Sequence, residues 1–409
     1  MIFTELVQFT LDVVIPETAR WLVYLAVLWI PFIIFEYAWH SWVGYVRRKW
    51  IATQEKVLLE IRLPQETMKS PLAMELVLTA LYQTGGEGTP LDRYWDGKVR
   101  PWFSLELVSI EGEVKFFIWT FKSQRNMIEA NIYAQYPDVE IHEVPDYVDT
   151  MLYDPEKHEI SGGVLEATGP DPLPIKTYID YGLDRDPKEE YKVDPMAPLI
   201  EFLGTLKKGH HAWVQIVVRA HTQEKTPLND KYPDKWKDEA KELIEKIIKE
   251  SEIEDAEGNK MPNLAKMTKG QQERIAAIER SISKYAFDAG IRLVYIAPKD
   301  SFDKGVGGGL LGSFKQFNAT NLNGFKPSGL GFDYKWQDWR GKKLAENKEK
   351  LFKAYALRSF FHNPYRKKWT VLNTEELATV YHFPGSAVRT PTLKRIPSKR
   401  ADAPANLPI

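Results

Sequence analysis

The chain has 409 residues, 44% of them hydrophobic and 27% charged, with a formal net charge of -1 and no cysteine. That balance excludes a global basic field for nucleic acid, so any such contact must be local, and the lack of cysteine excludes a fold built on disulfides. Beyond the most apolar stretch, about 350 residues leave room for two or three domains of ordinary size.

In chain order, Ile2, Phe3, Leu6, Val7, Phe9, Val13 and Val14 have a helix-like spacing, which suits either a segment lying on a membrane face or a frayed tail. Residues 21–46 then give an apolar run long enough to cross a bilayer as one helix. Its rings Trp21, Trp29, Trp39 and Trp42 and the following Arg47, Arg48 and Lys49 are the candidate membrane-anchor residues, in contact with lipid. Glu36 and His40 lie in the C-terminal half, close enough to the basic end to reach headgroups. Only Arg20 precedes the run, beside Glu5, Asp12 and Glu17, whereas Arg47, Arg48, Lys49 and Lys56 follow it. The positive-inside rule therefore predicts a single-pass cytoplasmic-membrane protein with its C-terminal part in the cytosol. Residues 1–50 form this anchor.

Residues 57–62 alternate as a strand, and Ser70 and Pro71 open a helix with Met74, Val77, Leu78, Leu81 and Tyr82 on one stripe. Residues 103–110 and 114–120 are two strands joined by Glu111, Gly112 and Glu113, followed by a helix at Met127–Ala134 and a strand at 139–144. The order βαββαβ over 55–148 predicts a ferredoxin-like, split βαβ domain. A second such unit is expected over 170–300, with a strand at 175–182, a helix at 195–206 and a strand at 211–219. A charged insertion at 221–268 carries a helix at 235–252, and a helix at 271–289 and a strand at 292–297 complete the unit. The expected fold class is α+β: one N-terminal transmembrane helix, tandem ferredoxin-like domains, and a C-terminal helical region.

The region 301–385 opens on a Gly-rich stretch in which Gly307, Gly309 and Gly312 satisfy a bare G-x-G-x-x-G. The flanking context of a dinucleotide fold is missing, so a loop is expected. There is no Walker A sequence, no H-x-x-x-H pair on a helix and no nucleophile elbow, so neither a cofactor, a metal nor a catalytic residue is predicted. Arg358, Tyr365, Arg366, Lys367 and Lys368 join charge to aromatic rings and are the candidate nucleic-acid contact. Asn373 with Glu376 forms a capping-box pattern for a short helix that ends at Phe383-Pro384-Gly385. The tail 386–409, with Arg389, Lys394, Arg395, Lys399 and Arg400, reads as a basic Pro-rich linker.

Several stretches together carry a family resemblance: FSLELVSIEGEVKFFIWT from Phe103, NMIEANIYAQYPDVEI from Asn126, DPMAPLIEFLGTLKKGHHAWVQIVVR from Asp194, FKQFNATNLNGFKP from Phe314 and LNTEELATVYHFPG from Leu372. In this order they resemble the membrane-proximal, non-ATPase region of type IV secretion and conjugation ATPases of the coupling-protein class. The final APANLPI is similar to the Pro-rich junction that precedes the motor domain in relatives carrying both parts. The resemblance implies a non-enzymatic membrane adaptor that recruits a separate Walker-type ATPase, with Asn373, Glu376, Leu377 and Phe383 as the expected partner interface. Self-association is left open. The alternative is a membrane-anchored enzyme that holds a phosphorylated ligand at the Gly-rich loop with Lys304 and Asn318.

Overall fold

The computed structural model describes residues 2–64, 69–151, 153–184, 193–222, 235–250, 252–254, 260–262, 267–329, 338, 340–385, 393 and 395. The chain forms α1 (Ile2–Phe9), a π-helical turn (Thr10–Val14), α2 (Ile15–Tyr24), α3 (Ala26–Thr53), β1 (Lys56–Arg62), α4 (Pro71–Ala80), α5 (Pro90–Tyr94), β2 (Trp102–Ile110), β3 (Glu113–Phe121), α6 (Arg125–Gln135) and β4 (Glu140–Val144). It continues with α7 (Tyr147–Thr150), β5 (His158–Ala167), α8 (Ala197–Gly204), β6 (His211–Ala220), α9 (Lys235–Lys249), the short pair β7 (Glu252–Glu254) and β8 (Lys260–Pro262), and α10 (Lys269–Ile282). The last elements are β9 (Ala286–Pro298), α11 (Lys304–Gly312), β10 (Phe325–Gly329), α12 (Lys342–Ala356), β11 (Thr370–Asn373) and α13 (Thr374–Val380). Two compact units result, residues 1–53 with 86–99, and residues 54–85 with 100–409.

In the first unit, the predicted span 21–46 is shifted. The helix breaks at Leu25, so Trp21 belongs to α2, and α3 runs on through Arg47, Arg48 and Lys49 to Thr53. Among the described residues one helix, near the N-terminus and 28 residues long, is long and apolar enough to span a membrane. Residues 2–15 are helical with a π turn just before Pro16, whose missing N–H makes an interrupted ladder there the expected outcome.

The second unit is built on one nine-stranded sheet in which β10-β5-β9-β6-β2-β3-β1-β4 are neighbours and β11 pairs with β9. All these pairs are antiparallel. Strands β1 to β4 stand in the order β2-β3-β1-β4, and β5, β6, β9 and β10 repeat that order as β6-β9-β5-β10. The two sets join through β2 and β6, whose register runs from Trp102 opposite Arg219 to Ile110 opposite His211. The β2–β3 turn is two residues, Glu111 and Gly112, both at positive φ, as a tight hairpin of matching twist requires.

The strand expected at 175–182 is not formed. Ile175 and Tyr178 are buried, but from turns that follow Pro170, Pro172 and Pro174, and prolines remove ladder donors. The strand that takes this place is β5, which the sequence hides because Gly162 and Gly163 interrupt its pattern. A Cβ on Gly162 would lie 2.1 Å from the Leu293 carbonyl oxygen, so glycine is needed for this approach to β9. The second strand set thus runs from β5 to β10, beyond the expected bounds of 170–300, and β10 and β11 bring the C-terminal region into the same sheet.

One face of the sheet carries Leu105, Leu107, Phe116, Ile118, Val214, Ile216, Ile291 and Leu293 in a core shared with α4, α6, α8, α11 and α13. The Gly-rich stretch is a helix rather than a loop. Asp303 caps α11 by accepting from the Gly305 N–H at 2.7 Å, and a Cβ on Gly309 would sit 2.4 Å from the Phe202 ring. Gly309 thus serves helix packing, whereas a Cβ on Gly312 would meet nothing within 4 Å. The tail 386–409 lies outside the described residues except at two points: Leu393 is buried against the core and bridges Val114, and Arg395 bonds the carbonyls of Pro64 and Gly385.

Helix α13 has the predicted capping box, with Asn373 Oδ1 accepting from the Glu376 N–H and Glu376 Oε2 accepting from the Asn373 N–H, each at 2.9 Å. All seven of its residues are buried, so it is a core element and not a presented surface. Burial pushes the Glu376 carboxyl up to about 8 despite the N–H bonds from Asn373 and Ile175, with the charge of Glu375 adding to the rise. In the unfolded chain a glutamate ionises near pH ~4.3. Between those values the folded form holds a proton that the unfolded form releases, so this group's contribution to stability falls as pH rises from about 4.3 toward 8. Glu376→Gln should flatten that part of the stability–pH curve in urea titrations, and Asn373→Ala should cost about 1–2 kcal/mol at any pH through loss of the cap.

Candidate functional site

The sheet's other face carries a row of polar residues that is nonetheless buried. Glu106, Gln215 and Arg292 are direct cross-strand neighbours on β2, β6 and β9. All three are buried, with at most 1% exposure. Gln215 links them, donating from Nε2 to Glu106 Oε1 at 3.0 Å and accepting at Oε1 from Arg292 Nη1 at 3.0 Å. Glu106 also accepts from Ser104 and Tyr147, each at 2.8 Å.

The row is covered by α12 and by the residues that leave it. Arg358 follows the C-cap Leu357 at φ 47°, in the left-handed region. The Ser359 N–H bonds the Ala354 carbonyl at 3.1 Å and the Arg358 N–H bonds the Tyr355 carbonyl at 3.0 Å, the two bonds of a Schellman ending. Glycine is the usual residue there, because a side chain in this conformation is strained. Arginine holds the position because its side chain closes the site. Its Nε and Nη2 reach the two Glu106 oxygens at 2.9 and 3.1 Å, and Nη1 and Nη2 bond Asp146. Trp102 Nε1 donates to the Arg358 carbonyl at 3.0 Å.

Burial alone would push the Glu106 carboxyl up, but the Arg358 guanidinium and the bonds from Arg358, Tyr147 and Gln215 outweigh it and hold the group below the usual carboxylate range. The hydroxyls of Tyr147 and Tyr355, 2.6 Å apart, are driven well up, first by burial and then by the Glu106 charge. These paired and hydrogen-bonded groups order the core on this face of the sheet.

The sequence-derived candidates are dispersed. Arg358 is fully buried and already paired, so it is not a nucleic-acid contact. Arg366, Lys367 and Lys368 are exposed and Tyr365 half-buried; Tyr365, Arg366 and Lys367 line a cavity beside α12. Asn373, Glu376, Leu377 and Phe383 are buried, which removes them as a partner interface, because no partner can reach side chains spent on the core. Lys304 is exposed at the start of α11, whereas Asn318 is bonded through both side-chain atoms to the Phe325 backbone, at 2.7 and 3.1 Å, as a loop clamp. Among the described residues no group of three or more His, Cys, Asp or Glu is arranged to hold a metal ion.

Two of the expected anchor rings meet the segment 86–99: Trp39 lies tilted against Tyr94 at 5.4 Å, Trp42 meets Trp95 at 6.1 Å, and Trp42 Nε1 donates to the Tyr94 carbonyl at 2.9 Å. The segment 86–99 is pressed onto α3, since a Cβ on Gly97, at φ 69°, would lie 2.3 Å from the Val46 backbone. A Thr89–Asp92 capping box shapes its short helix α5, and Leu91 and Trp95 are left exposed. Trp29 is exposed on α3 and Arg47, Arg48 and Lys49 sit on its last turns.

Glu106, Gln215 and Arg292 were readable as the one charged or amide residue in each of the runs FSLELVSI, AWVQIVV and GIRLVYIA. Removing one member of a buried pair strands the other charge. Arg358→Met should therefore cost about 3–5 kcal/mol in denaturant unfolding, whereas the double variant Arg358→Met/Glu106→Leu should cost clearly less than the sum of its single changes. Additive losses would show that the pair does not hold the face together.

No curated protein matches the chain. Residues 49–395, from the end of α3 through the sheet and both of its layers, match the family described as Domain of unknown function (DUF8128), and the chain belongs to that family.

Proposed function

We propose that this protein is a non-catalytic, single-pass membrane subunit whose body is a pair of ferredoxin-like halves fused edge to edge, and that it recruits a separate Walker-type ATPase in a secretion or conjugation-like machine. The observation that carries the membrane part is α3: 28 residues with a mean hydropathy of 1.2 over the span window, and none of that window buried in the protein. At about 1.5 Å per residue the helix is longer than the ~30 Å hydrocarbon core, so its basic last turns extend into the headgroup layer. The rings of Trp39, Trp42, Tyr94 and Trp95 form a cluster suited to that interface. The excess of Lys and Arg after the span supports a cytosolic body.

The reading of two halves is supported by the repeated order β2-β3-β1-β4 and β6-β9-β5-β10, in each of which two split βαβ connections can be traced. A non-enzymatic role is supported by the use of the buried titratable groups. Glu106 is tied to Arg358, Asp288 to Arg219, and Glu75 and Glu375 to Lys284, all as structural pairs. The alternative, a phosphorylated ligand at the Gly-rich segment, loses its loop to α11 and its Asn318 to the Phe325 clamp. The ATPase partner rests on the sequence resemblance, and its docking surface must lie outside buried α13.

Two measurements test this. Protease added outside intact cells should leave the part after residue 55 uncut, and its digestion would refute the orientation; extraction from membranes by alkaline carbonate would refute the span. Affinity capture of the full chain in detergent should recover a Walker-type ATPase of the coupling class, and repeated capture without any ATPase would remove the adaptor role.

A further inference from the structure

Among the described residues Arg292 is a buried cation with no carboxylate partner. Arg292 is 1% exposed and lies at the base of a cavity of about 270 Å³ bounded by β5, β10, α12 and residues 364–367. Among the described residues its hydrogen-bond partners are all neutral: Gln215 Oε1 at 3.0 Å, the Ala354 carbonyl at 3.1 Å and the Ser359 carbonyl. A guanidinium has five N–H donors, and these bonds use three of them. Phe360 stacks on its face at 4.7 Å. Among the described residues no carboxylate pairs with it, in contrast to Arg358 and Arg219, which face Glu106 and Asp288. Burial lowers the guanidinium to about 9, so it remains charged at neutral pH.

The rest of the lining adds charge of the same sign. Lys350, Arg366 and Lys367 stand around the cavity and Glu166 is its one carboxylate among the described residues. Lys350 lies 3.8 Å from Glu346, an exposed and weak pair that leaves it free to turn. Val164, Leu351 and Tyr365 supply an apolar wall. An uncompensated buried cation costs several kcal/mol unless a counter-ion joins it. Four cations against one carboxylate, with the guanidinium's donors not all used within the protein, fit a compact dianion whose small organic part rests on the apolar wall.

We propose that this cavity binds a small phosphomonoester, with Arg292 at its base and Lys350, Arg366 and Lys367 around its mouth. The volume is at the small end of ligand pockets, which suits a phosphate group with a few carbons. The site does not depend on the membrane or ATPase reading.

The test uses the full chain in detergent at low ionic strength, with glycerol 3-phosphate as probe and sodium chloride at matched ionic strength as control. Thermal unfolding should shift upward by several degrees with the probe and not with the salt. In calorimetry the triple variant Lys350→Ala/Arg366→Ala/Lys367→Ala, which alters only the outer lining, should weaken binding at least tenfold, and Arg292→Lys should weaken it in a chain that still unfolds cooperatively. No shift in the wild-type protein, or equal binding by the triple variant, overturns the proposal. Binding of a single-stranded oligonucleotide that the triple variant loses, with no response to glycerol 3-phosphate, would assign the lining to nucleic acid and also overturn it.

Discussion

The bidentate pair between Arg358 and Glu106 is the constraint on which the second face of the sheet depends. Glu106 lies in the strand that joins the two halves, so an unpaired carboxylate there would break the sheet at its centre. Desolvating the carboxylate is offset by a guanidinium delivered from the far end of α12, and the geometry requires that helix to end in a left-handed residue that is not glycine. The strained ending, the buried glutamate and the position of α12 are one requirement seen from three sides. Gln215 carries the polar row on to Arg292, so the covering of β9 follows from the same placement.

Much of the architecture was legible in local pattern. The Ser70-Pro71 start, the Glu111-Gly112 turn and the Asn373–Glu376 box each specify a local geometry through one or two residues, and each forms as expected. What was not legible depended on partners distant in sequence. Gly162 looked like a strand breaker until β9 approached it, and Gly309 looked like a loop residue until Phe202 occupied the space a side chain would need. The same applies to α13: an amphipathic reading assigns it one buried stripe, but α4, α10 and the sheet cover all of it.

The candidate sites were harder still. A run such as RSFFHNPYRKK looks uniformly basic and aromatic, yet the fold divides it between the core and the surface. Arg358 turns inward to Glu106 while Arg366 and Lys367 stay outside. Charge alone could not separate them. The distinguishing signal was in another part of the chain, the lone glutamate inside an apolar strand, and it gained meaning only when the helix ending was seen above it.

The distance between the two members of that pair along the chain sets a timetable for biosynthesis. Glu106 and Arg358 are separated by 252 positions. At ~5–20 residues per second, the ribosome makes the carboxylate roughly 12–50 s before its guanidinium. Throughout that interval the joining strand is present with a bare charge on one face. The nascent sheet therefore waits for its last quarter before it can close, which makes this a chain whose completion, rather than its initiation, limits when the body becomes native.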